Sequence, residues 1–263
     1  MDIKIIRCLW GKPNHQFFER DLTFYHKECY QAKEVDEKFE LKNQMVIVWD
    51  EVNCELMEKL GYPYHYMGPS LEFNSEFNFY HKLLALKRAM ELYDEILFLD
   101  WDCYIQKPLD DNFYKLMRGR GDIQMPLYFY PNEILRQYET INPKANDTDH
   151  YFNMFYYQII RKGKWFFDNG ITIPNAGFIY LRDKSFPNKL IEIQKTYGIV
   201  SNIEEVCSLI YFNDFINSTD EYLDSIEPVV CLGKTNIEMQ GKQVLLNQYT
   251  IEKLKKDIYF IHE

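Results

Sequence analysis

Two carboxylates separated by one tryptophan, Asp100 and Asp102, follow directly on the apolar run Ile96 to Leu99 in the segment DEILFLDWDCYIQKPLD. In an extended chain successive side chains alternate, so these two acids are expected to point one way and Trp101 the other. Paired carboxylates suit a hard divalent cation, Mn2+ or Mg2+, which is commonly held by one or two carboxylates with substrate phosphates and water. A nucleoside diphosphate would complete such a shell. The competing reading is that the acids cap the loop and contact Lys107 or solvent. Their place at the end of a buried strand favours ligand binding, because open parallel sheets bind ligands at the carboxyl ends of their strands.

The elements that must hold this pair alternate in the first half of the chain. IKIIRCLW reads as a strand and residues 17–35 as a polar helix; QMVIVWD is a second strand, followed by the short helix NCELMEKLG and the strand-like YHYMG. In FNFYHKLLALKRAMELY, Leu83, Leu86, Ala89, Met90 and Tyr93 recur at helical spacing ahead of EILFLDWD. Strand and helix in alternation predict a parallel sheet with crossover helices. MVIVW and ILFL lack polar alternation, as central strands covered on both faces should.

The second half is less regular. GDIQMPLYFY reads as a strand, residues 133–156 as a polar and aromatic loop with short helices, and GITIPNAGFIYLR as two strand pieces broken at Pro174. FPNKLIEIQKTYG and NIEEVCSLIYFNDFIN are predicted helices, the second opening with an asparagine cap and two acids in its first turn. VVCLGK and DIYFIHE supply further short strands. With no internal repeat and no convincing linker, residues 1–263 are expected to form one domain: a nucleotide-binding half over 1–105 and an acceptor-binding half over 106–263.

Bulk properties narrow the function. The chain is 46% hydrophobic and 17% aromatic, which predicts a globular protein with a substantial core. A formal net charge of -10 disfavours a broad nucleic-acid surface, which needs a basic field. No stretch approaches the roughly 20 apolar residues that span a bilayer, and MDIKIIRCLWGK is too short an apolar run for a signal peptide. Six scattered cysteines without C-x-x-C spacing read as mostly reduced, buried thiols in a cytoplasmic protein.

Three segments together resemble a known family. ILFLDWDCYIQKPL is similar to the D-x-D segment of glycosyltransferases with the GT-A fold, above all family 8 and related nucleotide-sugar transferases. PNAGFIYLR resembles the N-[AS]-G strand that follows it, and DIYFIHE resembles the C-terminal strand whose histidine is a metal ligand. The resemblance implies a Rossmann-like, single-domain α/β fold with a central, mostly parallel sheet flanked by helices. It further implies that Asp100 contacts ribose and metal, that Asp102 binds the metal, and that His262 is the third ligand. Lys82 would hold the donor phosphate or sugar. Asn175, Ala176 and Gly177 would shape the sugar pocket, and Trp10, Gly11, Trp49 and Asp50 would lie near the nucleotide, Asp50 accepting a hydrogen bond from base or ribose. The family continues after its histidine with a glycine, lysine, proline and tryptophan that clasp the diphosphate. Here either another group such as Lys234 supplies the clasp, or the sequence is a piece of a longer protein.

The activity so implied is metal-dependent transfer of a sugar from a nucleotide-sugar donor, a UDP-sugar in the first instance, to a glycan or protein-linked acceptor. An inverting enzyme needs a carboxylate base, and Glu204 and Glu205 are the candidates; their competing role is to stabilise a helix N-terminus. Family 8 enzymes retain configuration, but their Asp-Gln signature is absent here, which leaves the stereochemistry open. PLYFYP, Trp165 and Phe166 offer faces for an acceptor sugar. Two alternatives keep the fold: sugar-phosphate nucleotidyl transfer, which expects a richer glycine and lysine loop than LWGKPNHQ, and a non-catalytic carbohydrate-binding module.

Overall fold

The computed structural model describes residues 3–11, 22–71, 80–119, 121–125, 127–130, 171–197, 204–205, 207–208, 210–211, 230–232 and 259–262. The loop at 133–156, the aromatic residues Trp165 and Phe166, and Lys234 lie outside the described residues.

Six strands form the main sheet: β1 (Lys4–Leu9), β2 (Gln44–Val48), β3 (Tyr64–Tyr66), β4 (Ile96–Leu99), β6 (Ile123–Gln124) and β9 (Phe178–Leu181). Their order is β3-β2-β1-β4-β9-β6. The pairs β1–β2, β1–β4 and β2–β3 are parallel, while β9 runs antiparallel to both β4 and β6. The sheet is therefore mostly parallel, as the alternating pattern predicts.

Helices α1 (Leu22–Lys38) and α2 (Glu51–Leu60) cover one face, and α3 (Tyr80–Leu92) and α5 (Phe186–Tyr197) the other; α4 (Asp111–Arg118) joins the first face. Strand β4 shows why its sequence lacks alternation. Ile96 and Phe98 pack with Leu83, Leu86 and Met90 of α3, while Leu97 and Leu99 pack with Phe113 and Met117 of α4. Both faces are buried, so both must be apolar. Strand order reverses between β1 and β4, and the crossover helices change face at the same place. Such a switch point opens a crevice at the carboxyl ends of its two strands.

The second half differs from its expected outline. GDIQMPLYFY divides into β6 in the main sheet and β7 (Leu127–Tyr130), which pairs with β8 (Ile171–Pro174) in a separate hairpin-like sheet. A further sheet of β5 (Cys103–Ile105), β10 (Val230–Leu232) and β11 (Phe260–His262) brings the C-terminal segment back beside the D-x-D turn. Cys8, Cys29, Cys103 and Cys207 are buried free thiols and Cys54 is a half-buried one. Among the described residues no helix is long and apolar enough to cross a membrane.

One side chain ties this return to the core. Asp110 caps α4 by accepting the Phe113 N–H at 2.9 Å, and the same carboxylate accepts the Tyr259 hydroxyl at 2.6 Å. Lys107 lies over the Tyr259 ring, 3.9 Å from its centroid. Asp110→Ala removes the cap and one anchor of the C-terminal segment together. A loss of about 1–2 kcal/mol is expected in denaturant unfolding, the range for cap deletions, and proteolysis near residue 259 should speed up. Unchanged unfolding and unchanged cleavage would show that Tyr259 is held by its ring contacts alone.

Candidate functional site

The acidic pair does not lie on a strand. Strand β4 ends at Leu99, and Asp100 to Cys103 form a tight turn closed by the Cys103 N–H donating to the Asp100 carbonyl at 3.1 Å. The expected extended alternation fails there because Cys103 begins β5, whose antiparallel partner β11 runs back beside it. A turn still places the two carboxylates at one end of the sheet, with Trp101 buried between them. The Trp101 indole N–H donates to the Cys8 carbonyl at 2.8 Å, which fastens the turn to β1.

Lys82, in the first turn of α3, is only 2% exposed, and a buried ammonium is unstable without counter-charges. It has two. Its Nζ lies 2.7 Å from Asp100 Oδ2 and 3.5 Å from Glu204 Oε1. Burial disfavours the charged form, but Asp100 and Glu204 outweigh it and the net shift is upward, so Lys82 stays an ammonium. Asp100 is the more open partner, its side chain 32% exposed.

Glu204 and Glu205 sit on helical residues between 204 and 211 but in different surroundings. Burial pushes the Glu204 carboxyl up to about 7, with Lys82 opposing and Glu205 and Asp100 adding to the rise. Its Oε2 is buried without a hydrogen-bond partner among the described residues. Glu205 is half-buried, and its Oε1 accepts the Asn175 amide at 3.3 Å and the Ala176 N–H at 3.5 Å. Neither acid is a freely solvated helix charge. Asn175 in turn accepts the Gly177 N–H at 3.0 Å, and the Gly177 carbonyl accepts the Asp100 N–H at 2.9 Å. The N-A-G segment thus links Glu205 to the D-x-D turn through four short contacts.

The loops after β1 and β2 form the adjoining wall. Asp50 is buried, and its two carboxylate oxygens accept the N–H groups of Gly11 at 3.1 Å and Ser70 at 2.9 Å. It fixes the loops after β1 and β3 against one another. Gly11 adopts φ +100°, a conformation that a side chain would strain. Asn53 completes the junction by donating to the Gly11 and Trp49 carbonyls. Trp10 stacks on the buried His81 with ring centroids 5.6 Å apart, and Trp49 meets the same imidazole edge-on at 5.1 Å. His81 Nε2 accepts the Leu71 N–H at 3.0 Å, so that nitrogen carries no proton. A histidine next to Lys82 in FYHK, at the turn of the helix facing the strand ends, was a signal that helical spacing alone could have exposed.

His262 is the last residue of β11, opposite Cys103 in the strand register, which brings its backbone beside Asp102. Asp102 is half-buried. Among the described residues no group of three or more His, Cys, Asp or Glu side chains is gathered as a metal centre; the His262 side chain is not one of them. Burial pushes the Cys8 and Cys103 thiols well up, so neither serves as a nucleophile.

Sequence comparison does not place the chain. No protein-family model matches it, and no curated protein sequence does. Structural comparison does better. The structure is similar along its whole length to mouse xyloside xylosyltransferase 1 in its apo form, with a TM-score of 0.50 and 10% identity over 100% of this chain and 98% of that one. The fold is that of the GT-A glycosyltransferases. Two lesser likenesses are the galactosyltransferase LgtC in complex with donor and acceptor sugar analogues (TM-score 0.45, 12% identity, 99% of this chain and 86% of that one) and the apo glycosyltransferase GlyE of Streptococcus pneumoniae (TM-score 0.48, 12% identity, 100% and 54%). The turn at Asp100 to Asp102 stands at the switch point between β1 and β4, with Lys82 and Glu204 beside Asp100.

The Glu204 environment has a measurable consequence. Because its folded pKa lies above the ordinary value of 4.5, folding favours the protonated acid: the stabilisation is full below 4.5 and is lost as pH rises through about 7. Glu204→Gln removes this titration. Its melting temperature should fall less than that of the wild type between about pH 5 and pH 8. Parallel curves for the two proteins would mean that Glu204 ionises as freely as a surface carboxylate.

Proposed function

We propose that the protein is a metal-dependent glycosyltransferase that moves a sugar from a nucleotide-sugar donor, a UDP-sugar, to a glycan or protein-linked acceptor. The observation that carries this reading is the chain Glu204–Lys82–Asp100: a buried ammonium spanning from the D-x-D turn to an acid in low-dielectric surroundings, at the switch-point crevice. A structural ion pair alone does not require a second acid with an unpartnered, buried oxygen.

On this reading the donor diphosphate lies at the turn. The carboxylates of Asp100 and Asp102 are oxygen donors that fit Mn2+ or Mg2+, and the imidazole of His262, as a nitrogen donor, would favour Mn2+ of the two. Asp100 suits the role because its side chain remains partly open while Lys82 engages one oxygen. When bound, the cation supplies positive charge that stabilises the departing nucleoside diphosphate. Lys82 adds a fixed positive charge on the protein side, already oriented and therefore needing no reorganisation as negative charge develops. Trp10, the partly open ring, borders the nucleotide, backed by the buried His81 and Trp49, and Asp50 holds these loops in place through Gly11 and Ser70.

Glu204 and Glu205 face the sugar side. A carboxyl held near 7 is matched to proton transfer at neutral pH, which makes Glu204 the stronger candidate for taking the acceptor hydroxyl proton. Glu205, fixed by the Asn175 amide and the Ala176 N–H, orients sugar hydroxyls together with the N-A-G segment.

The reading is tested by thermal shift with nucleoside diphosphates and UDP-sugars, with and without Mn2+. Ligand selective for the native state raises the melting temperature, by about 2.7 kcal/mol of stability at a hundred times Kd. The wild type should respond to uridine diphosphate only with the cation present. Asp102→Asn should lose that response while melting within a few degrees of the wild type without ligand. In a transfer assay Glu204→Gln should lower kcat by about 10²-fold or more, the usual contribution of a positioned base. A wild type indifferent to every nucleotide and to Mn2+ would replace this reading with that of a carbohydrate-binding module.

A further inference from the structure

Beneath the D-x-D turn lies a second buried charge that the transfer chemistry does not use. Arg7 is in the middle of β1, and its side chain is 1% exposed. One arm of its guanidinium donates to the Asp100 carbonyl, and the other reaches the Cys103 carbonyl at 3.5 Å. The two arms thereby grip the first and last residues of the turn that carries Asp100 and Asp102. The second arm also lies 3.2 and 3.4 Å from the two oxygens of Asp36, a buried carboxylate on α1. The Tyr62 hydroxyl donates to Asp36 Oδ2 at 2.8 Å, and the guanidinium carbon stands 5.2 Å from the centre of the Trp101 ring. Burial opposes the charge, but Asp36 prevails, so Arg7 is held as a cation.

Structural economy does not explain this arrangement. Replacing a buried ion pair by well-packed apolar side chains is often neutral or stabilising, and Ile5 and Leu9 show that this face of β1 accepts such side chains. What an apolar residue cannot do is bind two carbonyl oxygens of one turn. A planar fork can. Building on the reading of Asp100 and Asp102 as metal ligands, we propose that Arg7, held by Asp36 and Tyr62, is a positioning residue: it fixes the spacing and orientation of the two carboxylates by clamping both ends of the turn between them.

The deciding variant removes the clamp without leaving a lone buried charge: Arg7→Met with Asp36→Leu and Tyr62→Phe. Full-length protein is compared with the wild type by melting temperature, by Mn2+ titration followed by electron paramagnetic resonance, and by amide hydrogen exchange in the segment 100–103. The expected result is a melting temperature near that of the wild type, faster exchange at Cys103, and Mn2+ affinity weakened about tenfold or more, the usual effect of losing an outer-shell partner. A merely structural role would move the melting temperature and leave the Mn2+ affinity alone. If the triple variant does not fold, Arg7→Lys decides by the same readouts, since it keeps the charge for Asp36 and loses the fork. Wild-type affinity and exchange in the folded variant would overturn the clamp while leaving the transferase reading intact. A wild type that binds no Mn2+ would overturn the transferase reading, and the positioning role with it.

Discussion

A guanidinium removed from water must find its partners inside the protein, and Arg7 finds them on two other pieces of chain, α1 and the turn between β4 and β5. It is carried by β1, neutralised by Asp36 of α1, and bonded to carbonyls at Asp100, just past β4, and at Cys103, where β5 begins. Trp101 covers it and itself hydrogen-bonds back to Cys8 of β1. Removing Asp36 would leave the buried Arg7 charge unpaired, at a cost of about 3–5 kcal/mol for a broken buried pair. The turn between β4 and β5 is therefore fixed by the same contacts that join the first crossover helix to the sheet. A loop would ordinarily be the most variable part of such a fold; here it is among the most constrained.

The second buried cation obeys the same rule with a different outcome. Lys82 is paired on both sides, but its partners are unequal: Asp100 is partly open and Glu204 is buried with one oxygen unmatched. Arg7 is held by buried groups of the protein alone, whereas Lys82 shares its charge with a carboxylate that is partly open. Polar satisfaction is nearly universal in protein interiors, and the unmatched Glu204 oxygen beside a fixed positive charge is the feature on which its proposed role as a base rests. Asp50 belongs with the supports, because each of its carboxylate oxygens accepts a backbone N–H.

Much of this was legible in the sequence, and the limits are physical. The unalternating runs MVIVW and ILFL read correctly as strands buried on two faces, and the strand-helix rhythm gave the parallel pairing of that half of the sheet, though not its strand order. Lys82, Asp100, Asn175 and the two glutamates, far apart in sequence, are indeed neighbours. The local geometry of Asp100 to Asp102 was misread because side-chain alternation assumes that the strand continues, and whether it does is decided by β11 arriving from more than 150 residues downstream. Arg7 was visible but unexplained: a charge between Ile5 and Leu9, at positions that share a strand face, has to be buried or functional. Its partner Asp36 could not be named, since nothing in a helix of mixed polarity says which acid turns inward.

Glu204 and Glu205 show how far neighbouring residues of one type can diverge once folded. As letters they are interchangeable, and helix periodicity separates them by only about 100°. That rotation sends one against Lys82 in a dry interior and the other to a polar segment rich in backbone N–H donors. Burial raises the first toward neutrality. Two carboxylates in such different surroundings can divide the labour of one reaction, one exchanging a proton while the other holds position. The division follows from where α3 places its lysine, and α3 is placed by packing against β4, the strand that ends at the acidic pair. The chemistry of the crevice is in this sense a consequence of the core.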